Sequence, residues 1–464
     1  MPRFPLVLAA ALLLSAPAGM AQQAARTEKS SLDFEFYRTR IEPMFLVKRP
    51  GNVRCVECHE RGAGGLRFQS LVDGKSWTEE ASRRNFTAVS AFITSGSPTT
   101  SRLLQHPLAR ESGGDPFHGG GKHWSTTDPE YRTLAAWVRG ETTPTSKTVV
   151  RIIQTNAAGD DTHVIDPATN TVVGIIHDIR IPHGVTSAPD GSRLYISNEA
   201  LHTLDAVDAR SLSVVARVPL SGRPNNVDIS KNGRKVYVGI REAPGALDVI
   251  DTSTLKNVKT VPVAGEIHNV YVTPDGKFAI AGSIQTSTIS IVDTATDQMV
   301  RTVTMSAGIR PMAFETNPDG STKRIFVQLS NFHGFTVVDF ATGKEVARIE
   351  HPAIPGVHAH NDGLQGAPAH GLGVTPDGRQ LWSTSKVYGY AYVHSLPDLK
   401  EIGRVYVGQH PEWVTFSPDG RQVYIAAAGD NQTFVVDTRT LKEVARIPVG
   451  QVPKRNGTAI LQTN

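Results

Sequence analysis

The 464-residue sequence predicts a mainly β protein: a seven-bladed β-propeller preceded by a small α-helical domain. Three observations predict it. The turn "PDG" recurs with its glycine at Gly191, Gly276, Gly320, Gly378 and Gly420, and "KNG" supplies Gly233. Seven marks of two apolar residues and a polar one, usually Asp, recur in step: "VID" at 164–166, "AVD" at 206–208, "VID" at 249–251, "IVD" at 291–293, "VVD" at 337–339, "YVH" at 392–394 and "VVD" at 435–437. Most spacings are close to 43 residues, the period of a propeller blade of several short strands.

Each blade carries its own local signal. "HGVTSAPDGSRLYISN" is alternation, a D-G turn and alternation again, which reads as strand, turn, strand. The first blade lacks an inner strand at its own N-terminus. "GQVPKRNGTAI" near the C-terminus supplies one, closing the ring and removing exposed edges. Ahead of the repeats lies "GETTPTSKT", residues 140–148, a polar linker containing Pro144. Before the linker, "DPEYRTLAAWVRG" places Leu134, Ala135, Trp137 and Val138 at helical spacing.

At the N-terminus, Arg3 precedes an apolar run from Leu6 to Leu14 and then "SAPAGMA". This reads as a signal peptide over residues 1–21, cleaved after Ala21, and predicts a soluble periplasmic protein with no transmembrane span. The charges, 48 basic against 44 acidic for a net +4, form no Lys/Arg block and point to no nucleic-acid partner.

Only two cysteines occur, in "NVRCVECHERG": Cys55 and Cys58, with His59 adjoining. A disulfide between them would close a tiny loop and stabilise little. Zinc requires four ligands. C-x-x-C-H reads instead as covalent attachment of one haem c, with His59 as the proximal iron ligand. For the sixth ligand, no Met lies between Cys58 and Met299. Met44, His106, His118 and His123 are the candidates.

Residues 32–143, about a quarter of the chain, resemble the cytochrome c domains fused to other modules in planctomycete-type and acidobacterial secreted proteins. The resemblance is carried by C-x-x-C-H followed by "GLRF", "SRLL" and "AAWVRG". Where those domains often have Met-Pro, this chain has "DPFHGGG". His118 falls where that Met would stand, so the resemblance implies His118 as distal ligand, with His123 as the alternative. Residues 149–464, in runs such as "SPDG" and "YI", resemble the YVTN family of secreted seven-bladed propellers.

Counting back eight residues from each turn glycine gives His183, Asn225, His268, Met312, His370 and Glu412, with Lys454 near the matching place in the closing strand. These positions begin the inner strands and should ring one mouth of the channel. Loops returning to that mouth hold His202, His333 and Tyr388. His177 and His351 end outer strands there. The long loop "EHPAIPGVHAHNDGLQGAPAH" adds His358 and His360, and His410 starts the last "HPEW". Converging imidazoles suit a transition metal. The expectation is one redox metal, copper, on His183, His268 and His370, with His358 or His360 completing or gating the site. In architecture this resembles the copper enzymes nitrous oxide reductase and thiocyanate dehydrogenase.

The function expected is that of a periplasmic oxidoreductase. Haem c would pass single electrons between the His-lined mouth and a soluble or membrane-bound redox partner, with a small molecule as substrate. A non-catalytic binding propeller is the alternative. Haem-d nitrite reductases also join a cytochrome c to a propeller, but theirs has eight blades and this chain has marks for seven. A lactonase would need a carboxylate-rich metal site, and the ring offers Glu412 alone.

Overall fold

A computed structural model describes residues 32–48, 51–72, 74–141 and 147–463. The expected signal peptide and residues 142–146 of the expected linker lie outside these. The chain divides into two compact units, between Thr145 and Ser146.

The N-terminal unit is helical. Its longer helices are Glu79–Ser90 and Pro129–Val138, and shorter ones span Phe34–Phe36, Cys55–His59 and Arg102–Gln105. Thr78 caps the first of the long helices, its hydroxyl accepting from Ala81 N at 3.2 Å. Pro129 opens the second at its first turn, where a missing N–H costs nothing. That helix buries Tyr131, Leu134, Ala135, Trp137 and Val138. They pack with Tyr37, Ile41, Phe45, Val56, Phe68 and Leu104 in one core. Trp137 satisfies its indole N–H on Asp33 O at 2.9 Å.

The C-terminal unit is a seven-bladed β-propeller: seven four-stranded antiparallel sheets. Second and third strands are buried almost throughout, because neighbouring blades cover both their faces. Outer strands alternate exposed and half-buried residues. The Asp of each repeat mark ends a third strand and caps the following turn. Asp251 Oδ1, for example, accepts from Ser253 N at 3.0 Å and Thr254 N at 2.8 Å. In the sixth blade the strand is Tyr390–Ser395, so Ser395 and not His394 holds this place. The "YVH" mark is thus out of register by one residue, and His394 is a buried strand residue.

The propeller closes through its two ends. Pro453–Thr463 is the inner strand of the first blade and pairs antiparallel with Lys147–Asn156, from Lys147↔Thr463 to Asn156↔Pro453. The propeller strands therefore start at Lys147, inside the stretch expected to be linker. Among the described residues no helix is long and apolar enough to cross a membrane.

Candidate functional site

The helix Cys55–His59 places Cys55, Cys58 and His59 at i, i+3 and i+4, one face of a turn. No disulfide joins the two cysteines. That face lines a cavity of about 320 Å³, the scale of a small-molecule or cofactor site. Its walls are mainly apolar, with Phe45, Leu66, Phe68, Phe92, Leu103 and Trp124. Arg54 and Arg102 also line it and could meet carboxylates.

His118 stands across this cavity from His59. The two rings lie nearly parallel, 16° apart, with centroids 6.3 Å apart. Each Nδ1 faces a backbone carbonyl: Leu66 O at 3.2 Å for His59, and Gly121 O for His118. A carbonyl only accepts, so both Nδ1 atoms carry the hydrogen and both Nε2 atoms keep the lone pair a metal needs. Burial lowers the His118 pKa, partly opposed by the Gly121 carbonyl, and this favours the neutral, ligating form.

The glycines of "HGGGKH" shape the loop that presents His118. Gly121 adopts φ +84°, and a Cβ there would meet Asn52 Oδ1 at 2.9 Å. Its N–H closes a turn on His118 O at 2.9 Å. Of the other sixth-ligand candidates, His106 and His123 also line the cavity, beside His118 at 4.8 and 5.7 Å between centroids. His106 Nδ1 is 2.9 Å from Asp115 Oδ2. Met44 packs against the core and is not among the cavity's lining residues.

In the propeller, six of the seven counted positions are second residues of inner strands: His183, Asn225, His268, His370, Glu412 and Lys454. The exception is the fifth blade. Its first hairpin is longer, with a register shift at Glu315/Thr316, and the strand is Ile309–Thr316. Ile309 pairs as Pro182 does, so Arg310 holds the ring position and Met312 lies two residues further in.

His268 and His370 come together, with centroids 6.0 Å apart. All three ring histidines are buried, and all three Nδ1 atoms are engaged. His183 Nδ1 pairs with the Glu199 carboxylate. His370 Nδ1 sits 2.9 Å from Glu412 O and 2.8 Å from Glu412 Oε2. His268 Nδ1 is 2.7 Å from Asn269 Nδ2. Burial lowers the pKa of His183 and His370 to about 4, against the pull of their carboxylates, and holds His268 well below its usual range.

Four cations surround these rings. Lys386 and Lys454 reach Glu412 Oε1 at 2.8 and 3.1 Å. Arg310 donates to Ser330 Oγ at 3.0 Å and Gln365 O at 2.7 Å. Arg455, fully buried, lies 4.0 Å over Trp413 and donates to Asn225 Oδ1 and Asn269 Oδ1, each at 3.0 Å. Burial alone would raise the Glu412 pKa, but Lys454, His370 and Lys386 together hold it well below the carboxylate range.

Of the expected copper ligands, His268 and His370 adjoin, while His183 pairs with Glu199. Among the described residues no three His, Cys, Asp or Glu side chains stand close enough to hold a metal ion. The cations around the rings also oppose a further positive charge. His358 and His360 face each other in the long loop, 6.0 Å apart. His177 and His202 are exposed. His351 turns between the fifth and sixth blades, stacking on Tyr392 at 4.3 Å with its Nε2 2.7 Å from Ser383 Oγ.

Sequence reading missed Glu199, Lys386, Arg310 and Arg455. A signal for two of them was present: Glu199 and Lys386 each directly follow the second strand of their blade. The repeat that located the histidines could have located this second set.

No family model matches the chain, and no curated protein matches it in sequence. Solved structures do match in shape. The chain is similar to Kuenenia stuttgartiensis hydrazine synthase at 21% identity, over 62% of this chain and 92% of that one, with a TM-score of 0.54. Similarity to the periplasmic gluconolactonase of Pseudomonas aeruginosa is 19% identity over 67% and 99%, with a TM-score of 0.55. A putative 6-phosphogluconolactonase from Bacteroides fragilis matches at 16% identity over 68% and 99%, with a TM-score of 0.55. These likenesses show one thing, the propeller fold. Propellers host unrelated activities, so function rests on the two sites.

Proposed function

We propose that the chain is a periplasmic oxidoreductase built from a cytochrome c domain, residues 32–143, and a YVTN-like propeller whose channel mouth takes a small-molecule substrate. One observation carries the reading: His59 and His118 face each other in parallel across a cavity that both cysteines line. Two nitrogen–metal bonds of about 2 Å plus two ring radii put facing imidazoles roughly 6 Å apart, against the 6.3 Å observed. Cys55 and Cys58 would hold a haem by thioether bonds, His59 and His118 would supply nitrogen ligands to its iron, and Arg102 would suit a carboxylate. A haem so held exchanges single electrons, and a soluble or membrane-bound redox partner would connect it to the cell. A lactonase is less well supported, because Glu199 and Glu412, the ring carboxylates, are taken up by His183, His370, Lys386 and Lys454.

The test is haem staining after denaturing electrophoresis, with haem quantified per chain. The wild type should carry one covalent haem, and Cys55→Ala with Cys58→Ala should carry none. No covalent haem in wild-type protein, matured where haem attachment operates, overturns the reading. In the holoprotein, His118→Ala should convert a six-coordinate spectrum to one that binds added imidazole. An unchanged spectrum transfers the distal role to His123 or His106.

A further inference from the structure

The propeller mouth holds more positive charge than the protein itself neutralises. The charges acting most strongly on the three ring histidines are Arg455, Lys454, Arg310 and Lys386, against only Glu199 and Glu412. The histidines do not add to this excess, since burial keeps them neutral. Arg455 is the least compensated. The residue is 2% exposed, and its guanidinium is met by two amide oxygens, the His268 carbonyl at 3.3 Å, the Tyr271 hydroxyl and an indole face, none of them a full negative charge. Asp228 lines the cavity beside it but accepts from the backbone N–H of Ile229 and Val272, at 2.8 and 2.7 Å. A charge buried without a counter-charge is costly, and a bound anion would remove that cost through charge-assisted hydrogen bonds.

Two orphaned atoms sit at adjacent places in the same ring. Asn225 Nδ2 is fully buried and has no acceptor, although its Oδ1 takes the Arg455 hydrogen bond. His183 Nε2 is buried without a partner. Because His183 Nδ1 donates to Glu199, Nε2 is a lone pair waiting for a donor. Asn225 therefore offers hydrogens to an anion, while His183 asks for one.

We propose that the mouth binds a small organic anion that also carries a hydroxyl, the class of a hydroxy-carboxylate. Its carboxylate sits among the Lys386, Arg310, Lys454 and Asn225 donors and its hydroxyl donates to His183 Nε2. This rests on the reading of the mouth as the substrate site and names the substrate's chemistry.

The test is calorimetric titration of the full-length holoprotein with glycolate, acetate and ethylene glycol, at low and high salt. Both anions should bind, glycolate more tightly than acetate, and ethylene glycol should give no heat. High salt should weaken both anions. Lys386→Gln should weaken both by about tenfold, the scale of one charge-assisted hydrogen bond. His183→Gln should bring glycolate and acetate together. Arg310→Gln, on another blade, gives the same reading if Lys386→Gln fails to fold. Ethylene glycol binding as well as glycolate, no heat from either anion at millimolar concentration, or affinity unchanged in both charge variants overturns the inference. Haem staining is independent of this result. Covalent haem without anion binding defeats only the substrate class, and anion binding without haem defeats only the electron-transfer reading.

Discussion

Mild acid should unfold this propeller, because it buries histidines that must stay neutral. His183, His370 and His394 have their pKa lowered to about 4, and His268 and His351 are held well below the ordinary value, in every case chiefly by burial. In the unfolded chain each titrates near 6.5. The sign follows. Below about pH 6.5 the unfolded chain binds protons that the folded chain refuses, so stability is complete above that pH and falls as pH drops towards about 4. Each histidine costs about 1.4 kcal/mol per pH unit in that window, so five cost at most roughly 7 kcal/mol per unit. Asp228 opposes them: burial raises its pKa, so it stabilises the fold as pH falls through that raised value. Glu412 contributes stability that is lost only below the ordinary carboxylate range, so its contribution is the same at pH 5 as at pH 7.5 and does not change the slope. Against a total of about 5–15 kcal/mol, the propeller should lose its stability within roughly two units below pH 6.5. Urea denaturation followed by tryptophan fluorescence at pH 7.5, 6.5, 5.5 and 5.0 measures this. A midpoint at pH 5.5 equal to that at pH 7.5 would refute the reasoning. His394→Leu should reduce the slope by about one fifth.

Three further outcomes are expected. Truncation after Gly450 removes the strand that pairs with Lys147–Asn156. At about 1 kcal/mol net per lost hydrogen bond, plus the burial of Ala459 and Leu461, the cost approaches the whole stability, and calorimetry should show no cooperative propeller transition. Glu412→Gln leaves the Lys386 and Lys454 ammoniums without their carboxylate. It should destabilise by about 3–5 kcal/mol, read as a lower urea midpoint at pH 7.5; a loss under about 1 kcal/mol would show that the ion cluster is not the buried network described. Gly121→Ala places a Cβ at positive φ against Asn52. It should cost about 1 kcal/mol and loosen the His118 loop, raising the holoprotein's affinity for added imidazole with its haem still covalent.

The blade count was legible because a propeller repeats both its turns and its inward-facing residues. The D-G turn and the Asp-capped third strand recur in step, so any position is located by counting. Counting failed in two blades. The fifth blade's first hairpin is longer, which moved Met312 into the place that Arg310 occupies. The sixth blade has Ser395 where the others have Asp, and an aromatic-rich strand displaced the mark onto His394.

Ligand chemistry was less legible, for a physical reason. A histidine at a strand start announces an imidazole, but not which nitrogen is free nor what charge surrounds it. Glu199 and Lys386 come from the ends of second strands, and Arg455 from the closing strand some 270 residues after His183 in sequence. Only the closed ring brings them onto His183, Glu412 and Asn225. Read singly, the three histidines ask for a metal. Read with the groups that closure places around them, the same histidines are buried imidazoles whose Nδ1 atoms are already engaged, in a ring that also holds four cations. Cys55, Cys58 and His59 share one helical turn, so local sequence sets their geometry, while folding brings His118, His106, His123 and the apolar walls to the same cavity.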